Sequence, residues 1–406
     1  MIVSHKIRLV PSSAQEQVFR RACGTARFAY NWALARWQTD YLAGGKPSEA
    51  ALRKQLNALK ATAFPWMCEL PKTVVQYAIK NLGLAYKNFF DDLARVNRGE
   101  LNAKQLRRPR FKKKGHHDSF RVDNGTDKGH PNAVTVVGKL VKLARIGWVC
   151  MREEVRFAGT IRSATISREA DAWYCSFAVD VGGLAAEGTA RGIVGVDLGI
   201  AHLATLSDGS TPIESPKPLR RLLGKLKRLN RSLHRKVKGS CNRAHAKTKL
   251  ARLHARIAHI REDALHKLTT HLIQRFGTVV IEDLNVRGML ANRKLSRAIA
   301  DIGFFEFRRQ LEYKAKMAGA AVIVADRWFP SSKLCSTCDA KNESLALCER
   351  AWTCLSCGAT HDRDFNAAVN LARLVPEGGY PESSPGLVCG ADGSGDESDL
   401  AVKPAA

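Results

Sequence analysis

Two cysteine pairs, CSTC at 335–338 and CLSC at 354–357, are separated by fifteen residues. Two C-x-x-C knuckles at that distance suit one tetrahedral, structural zinc ion, held by Cys335, Cys338, Cys354 and Cys357. Two separate redox pairs are the competing reading. It is the weaker one, because turn residues (Asp339, Gly358) follow each pair and the segment between them is short. Cys348 falls inside that segment and reads as a bystander. The other six cysteines are scattered and read as free thiols of a reducing compartment. Directly after the clip comes HDRDFNAAVN, a helix start with acids at its mouth.

The rest of the chain explains why a metal clip would abut a carboxylate. RGIVGVDLGI (191–200) and FGTVVIEDLNV (276–286) read as apolar strands, each carrying one acid, Asp197 and Glu282. Asp364 opens the final helix. A carboxylate inside a buried strand costs several kcal/mol unless it is paired or holds a metal. Each acid has a plain alternative: Asp197 bonding its turn, Glu282 pairing with a nearby base, Asp364 capping its helix. Together, on two strands and a helix of one α/β unit, they fit hard, open oxygen sites for two Mg²⁺ ions. Those ions would activate a water against a phosphodiester. Gly195 and Gly199 are expected to let a phosphate backbone approach the strand. Asp283 and Asp362 are expected to be neighbours, since alternation turns Asp283 away from Glu282.

Charge names the partner class. The formal net charge is +27, from 65 Lys+Arg against 38 Asp+Glu. The segment from Pro376 onward holds six acids and one base, so the remainder carries +32. A surplus of that size is the footprint of a polyanion, and nucleic acid fits it best. MIVSHKIRLVPSS lacks the apolar core of a secretory signal, and no run approaches ~18 apolar residues. A cytoplasmic, nucleoid-associated protein is therefore expected.

Periodicity divides the chain. HKIRLV reads as a strand stopped by Pro11. Ser12 or Ser13 caps a long helix, and further helices are expected at 47–60 and 71–96. Trp32 and Trp37, at helical spacing, read as core. LRRPRFKKKGHHDSFRV (106–122) is basic and ends in a strand. Arg107, Arg108, Arg110, Lys112, Lys113 and Lys114 are phosphate-contact candidates, with Phe111 available to stack or pack. From 133 to 183 short alternating runs predict a small barrel or curled sheet. One long basic helical stretch is expected over 216–275, able to follow a phosphate backbone. A helix over 301–319 and a strand over 320–329 complete an α/β sheet flanked by helices. The tail from 376 has the composition of a disordered segment.

GVDLG, VVIEDLNV, WFPSSKLCSTC, WTCLSCG and HDRDFNAAVNL, in this order, resemble the TnpB (OrfB) proteins of bacterial insertion sequences. These are small relatives of type V CRISPR effectors. KIRLVPSSAQEQVFRRACGTARFAYNWAL resembles the family's N-terminus, and the likeness runs to about residue 375. The resemblance implies a multidomain α/β plus β-barrel protein. It implies a wedge barrel of the oligonucleotide-binding type at 1–13 and 97–185, with a helical recognition insert at 14–96. It implies an RNase H-like RuvC nuclease at 186–330 and 360–375, interrupted by a zinc ribbon at 331–359, with the acidic tail from 376 to 406. By motif match the RuvC acids fall on Asp197, Glu282 and Asp364, and the zinc ligands on the four cysteines. Lys72 and Gln76, in ELPKTVVQ, match positions that read a short adjacent DNA motif in relatives. The implied partners are a guide RNA from the element's end and double-stranded target DNA, with one protein chain per RNA. Alternatives are a guided or unguided DNA-binding repressor and a DNA transposase. The intact acids count against the first. The absence of a tyrosine in a nucleophile context counts against the second.

Overall fold

In the computed structural model of the chain, residues 1–124, 133–183, 192–346 and 348–375 are described. β1 (Ile2–Val10) alternates exposed and buried residues along its whole length. α1 (Ser13–Leu42) starts at Ser12. The Ser12 hydroxyl accepts the Gln15 N–H at 3.3 Å, while the Gln15 side chain accepts the Ser12 N–H at 2.9 Å. α2 (Glu49–Leu59) and α3 (Lys72–Asn97) pack with α1 around Leu34, Leu52, Leu56, Ile79 and Leu82. Trp32 and Trp37 join the margin of that core, and Trp37 stacks on Tyr86 with centroids 4.2 Å apart.

β2 (Ser119–Asp123), β3 (Val134–Val137), β4 (Leu140–Leu143), β5 (Gly147–Met151), β6 (Thr160–Glu169) and β7 (Ala172–Asp180) join β1 in one antiparallel sheet. Its order is β2-β6-β7-β1-β5-β4-β3. The sheet curls until its two ends meet at one side chain. Asn124 donates to the carbonyls of Val134 (2.7 Å) and Ile161 (3.1 Å) and accepts the Val134 N–H (2.6 Å). An amide thus joins the edges where a strand ladder would run. The inner face, with Ile7, Ile166, Trp173 and Phe177, shares a core with Phe19 of α1 and Val74 of α3.

A second sheet holds β8 (Ile193–Asp197) and β9 (Thr205–Leu206). The basic stretch that follows is two helices. α4 (Pro218–His234) and α5 (Cys241–Arg275) pack on each other and are separated at Gly239, whose φ is +88°, and at Ser240, whose hydroxyl caps α5. β10 (Thr278–Glu282) then runs parallel to β8. α6 (Val286–Ala291), α7 (Ser296–Ile302) and α8 (Phe304–Ala318) come next. Gly303, in the left-handed region, divides the single helix expected over 301–319. β11 (Ala321–Ala325) adds beside β10, giving the order β11-β10-β8-β9 with β9 antiparallel. β12 (Ala351–Thr353) and β13 (Thr360–Asp362) form a hairpin, and α9 (Arg363–Ala372) follows without a linker. The hairpin therefore runs to Asp362, past the boundary expected at 359.

The two faces of the second sheet are covered by different helices. Val194, Val196, Val279 and Ile281 meet α5 and α8 through Leu265, Leu272, Phe307 and Leu311. Val280 and Ala325 meet Leu371 of α9 on the other face. Among the described residues, no helix is long and apolar enough to cross a membrane.

Candidate active site and metal centre

Asp197 and Glu282 are the last residues of two neighbouring parallel strands. The register pairs Val196 with Ile281, so the two acids come next to each other as the strands end. Alternation turns both toward the face that α9 covers. A Cβ on Gly195 would stand 2.0 Å from the Ala368 carbonyl oxygen and 2.6 Å from the Ala372 nitrogen. Only glycine fits there, and its role differs from the one expected. The space it leaves is filled by α9, not offered to a phosphate. Gly199 is similarly closed by the His202 carbonyl, 3.2 Å from where its Cβ would stand. This close approach brings Asp364, in the first turn of α9, to the other two acids. Burial, then the charges of Glu282 and Asp364, push the Asp197 carboxyl well above the usual carboxylate range, against the pull of Arg350 and Arg363.

Glu282 and Asp364 have different neighbours. The Ser331 hydroxyl donates to Glu282 Oε1. Arg350 Nη1 lies 2.8 Å from Asp364 Oδ1. Asp283 faces the opposite side, where it pairs with Arg308 (3.0 Å) and Arg327. Asp362, not Asp364, caps α9 by accepting the Phe365 N–H at 2.9 Å. The plain roles considered for Glu282 and Asp364 are thus filled by Asp283 and Asp362. Ser331 and Arg350 escaped sequence reasoning, because neither contact follows from local spacing.

The four cysteines converge more tightly. Their Sγ atoms all lie within 4.8 Å of one another, the one such metal-type cluster among the described residues. Cys335 and Cys357 are 3.7 Å apart, and Cys338 and Cys354 are 3.6 Å apart. Four sulfurs ~2.3 Å from a shared centre would be separated by ~3.8 Å, so the set fits one tetrahedral metal. Backbone N–H groups of Cys357 and Ser356 hold the Cys354 thiol down at about 7. Burial raises Cys335, but the N–H groups of Thr337 and Cys338 and the His361 ring bring it to about 7. Cys348 is exposed and outside the cluster.

Two buried asparagines, one helical turn apart on α9, tie the clip to the acids. Asn366 donates to the Leu334 carbonyl (2.7 Å) and accepts the Ser336 N–H (2.9 Å). Asn370 donates to the carbonyls of Ser331 (2.8 Å) and Leu334 (2.6 Å). Ser331 in turn holds Glu282. The knuckle, the helix and two of the three acids thus share one hydrogen-bonded network.

Residues 176–293 match a family model described as "Probable transposase" (OrfB of IS605), and 304–371 match a "Cas12f1-like, TNB domain". A Streptomyces pristinaespiralis protein named as an RNA-guided DNA endonuclease is 37% identical, over 90% of this chain and 87% of its own length. The chain belongs to the TnpB (OrfB) family. InsQ of Escherichia coli K12, also named as an RNA-guided DNA endonuclease, is 34% identical over 90% of each chain. The fold is similar to the mini-RNA-guided endonuclease CRISPR-Cas phi3, with a TM-score of 0.50 at 9% identity over 92% of each chain. Residues 1–46 match a model described as "Helix-turn-helix domain". In this TnpB-family chain they form a strand and one uninterrupted helix.

The basic candidates lie apart from the acids. Lys72 and Gln76 occupy the first turns of α3, one turn apart and so on one face. The 106–114 strap lies over the helices. Lys112 exchanges backbone hydrogen bonds with the Asn31 side chain (2.8 and 3.0 Å), and its ammonium sits 4.4 Å from the Tyr30 ring centroid. Arg108 lies over Phe89. Arg107, Arg110, Lys113 and Lys114 are exposed, and Phe111 is 52% exposed. α4 buries only Pro218 and directs Arg220, Arg221, Lys225 and Lys227 to its surface.

Proposed function

We propose that this chain is an RNA-guided DNA endonuclease with one cutting site, built by Asp197, Glu282 and Asp364. The observation that carries the reading is that Glu282, at the neighbouring strand end, and Asp364, in the first turn of the helix packed on that sheet face, both raise the carboxyl of Asp197. Hard oxygen donors fit Mg²⁺, and four thiolates at tetrahedral spacing fit Zn²⁺. Two Mg²⁺ ions, when bound, would supply an activated water and steady the leaving oxygen. The protein's own groups then have distinct tasks. Glu282, oriented by Ser331, and Asp197 on the adjoining strand are held on rigid strand ends. Asp364 is placed by α9, which the zinc clip and the two asparagines fix in position. Arg350 balances the charge of Asp364 until a phosphate enters.

The domain reading is part of the proposal. The curled seven-stranded sheet (1–13 and 97–185) serves as the wedge, and helices in 14–96 form the recognition insert. The second sheet with α9 (186–330 and 363–375) would be the RuvC nuclease, with the ribbon at 331–362. The acidic tail (376–406) lies outside the described residues. Lys72 and Gln76 would read the short adjacent DNA motif. The basic strap at Arg107, Arg108, Arg110 and Lys112–Lys114 would contact phosphates of the RNA or the heteroduplex.

Expression of the chain with its native flanking DNA, followed by sequencing of the RNA that co-purifies, tests guidance. A discrete RNA ending in a variable stretch is expected, and DNA matching that stretch should be cut in Mg²⁺. Asp197→Ala should abolish cutting while the RNA stays bound. Binding of DNA without any RNA would sink guidance, and cutting by Asp197→Ala would sink the assigned site.

A further inference from the structure

Beside Asp364 opens a cleft of about 420 Å³ that the assignments above leave unused. Its walls come from the β8–β9 turn (His202), the start of β9 (Thr205), the segment after β9 (Ser210), Arg350 ahead of β12, and Asp364 and Phe365 at the start of α9. We propose that this cleft is a subsite for one unpaired nucleotide of the DNA strand being cut, with Phe365 as the surface on which its base stacks. The inference rests on the nuclease reading and names a substrate contact within that same site.

Size and place select the occupant. The volume falls near the small end of the ~300–1,000 Å³ range of ligand sites, with room for one nucleotide but not for two paired strands. Asp364 belongs both to this wall and to the acid set, so the occupant adjoins the phosphate that the acids hold. The ring of Phe365 is 39% exposed, an apolar surface that the fold does not cover. Its backbone is fixed by the bond from Phe365 N–H to Asp362, so a rigid turn presents the ring. Every base offers a π-face, and stacking on an aromatic side chain needs no particular sequence.

Charge agrees with a nucleotide. The two acids in the walls already have partners, Asp362 in the α9 cap and Asp364 in the Arg350 pair. The His202 ring is oriented by Glu214 at 2.7 Å. Arg350 thus lines the cleft as an N–H carrier suited to phosphate oxygens. Stacking on Phe365 carries the contact, so the subsite accepts any base and takes a strand that is unpaired there.

The test uses the purified protein–RNA complex and a target duplex matched to its guide. A single abasic nucleotide is placed in turn at each position around the cut. For the native protein, one position next to the cut should slow cleavage on the order of tenfold. Phe365→Ala should lose a similar factor on intact DNA and show no further loss at that abasic position. Phe365→Trp should restore both the rate and the abasic sensitivity. Targets carrying A, C, G or T there should cleave within about threefold of one another. Effects of Phe365→Ala and the abasic site that simply multiply, or no sensitive position at all, would overturn the subsite alone. A native complex that cuts no DNA would overturn the nuclease reading together with it.

Discussion

One hydrogen-bonded network ties the cysteine knuckle to two of the three acids, yet the thiols and the acids are built in opposite ways. The thiols gather within 4.8 Å of one another, and backbone N–H groups favour the thiolate at Cys335 and Cys354, while the neighbouring sulfurs hold the Cys357 thiol up at about 12. The acids are drawn from two strand ends and a helix, and one of them, Asp364, borders a cleft. On the function proposed above, the closed sulfur set would hold an ion for the sake of the fold, and the open oxygen set would keep positions for water and substrate. Holding and reacting would then be separate tasks, joined through Asn366 and Asn370.

The comparison can be broken from either side. Glu282→Ala should have the largest effect, lowering cutting on the order of a thousandfold or more while thermal stability and zinc content stay near native. A variant that loses zinc as well would show that the two sites are not separable. Cys354→Ser with Cys357→Ser should release the metal, lower the melting temperature and reduce cutting on the order of a hundredfold. Cobalt substitution of the native protein should give thiolate charge-transfer bands, and a spectrum without them would exclude a sulfur site.

Asn370→Ala tests the join itself. It should keep one zinc per chain, cost about 1–3 kcal/mol of stability and slow cutting roughly tenfold. Unchanged cutting would mean that the clip stabilises the fold without placing Asp364. The smallest effect concerns Asp197. Because its folded carboxyl titrates above the usual range, the folded state binds more protons than the unfolded one between those two values. In EDTA, stability should therefore fall as pH rises through that window. Added Mg²⁺ should raise the melting temperature, and by more at higher pH. A melting temperature that rises across the same window in EDTA would contradict the crowding of charge at Asp197.

Much of this was legible from local patterns. Asp197 and Glu282 stand at the ends of short apolar runs, where strand length and alternation predict both position and facing. The same alternation turns Asp283 toward Arg308. The cysteine spacing describes a closed cluster before any fold is known. What local patterns missed depends on distant packing. The asparagines of DFNAAVN look like ordinary helix polar residues until a knuckle carbonyl is placed beside them. Asp362 and Asp364 are both plausible caps, and only the backbone turn decides between them. Gly195 signals a close approach, but sequence cannot say whether helix or phosphate arrives. The basic stretch at 216–275 hides its break because Gly239 and Ser240 sit among strong helix formers.

The packing of α9 on β8 also sets a clock. Asp364 is made 167 residues after Asp197. At ~5–20 residues per second, roughly 8–30 s of synthesis separate them. The curled sheet, with its basic strap, emerges from the ribosome before any of the acids can be brought together. On the function proposed above, the nascent chain can therefore meet RNA well before it can cut anything. A polypeptide cut short by a premature stop within the ribbon keeps every element through β11 but lacks α9, and so releases a product without an assembled blade.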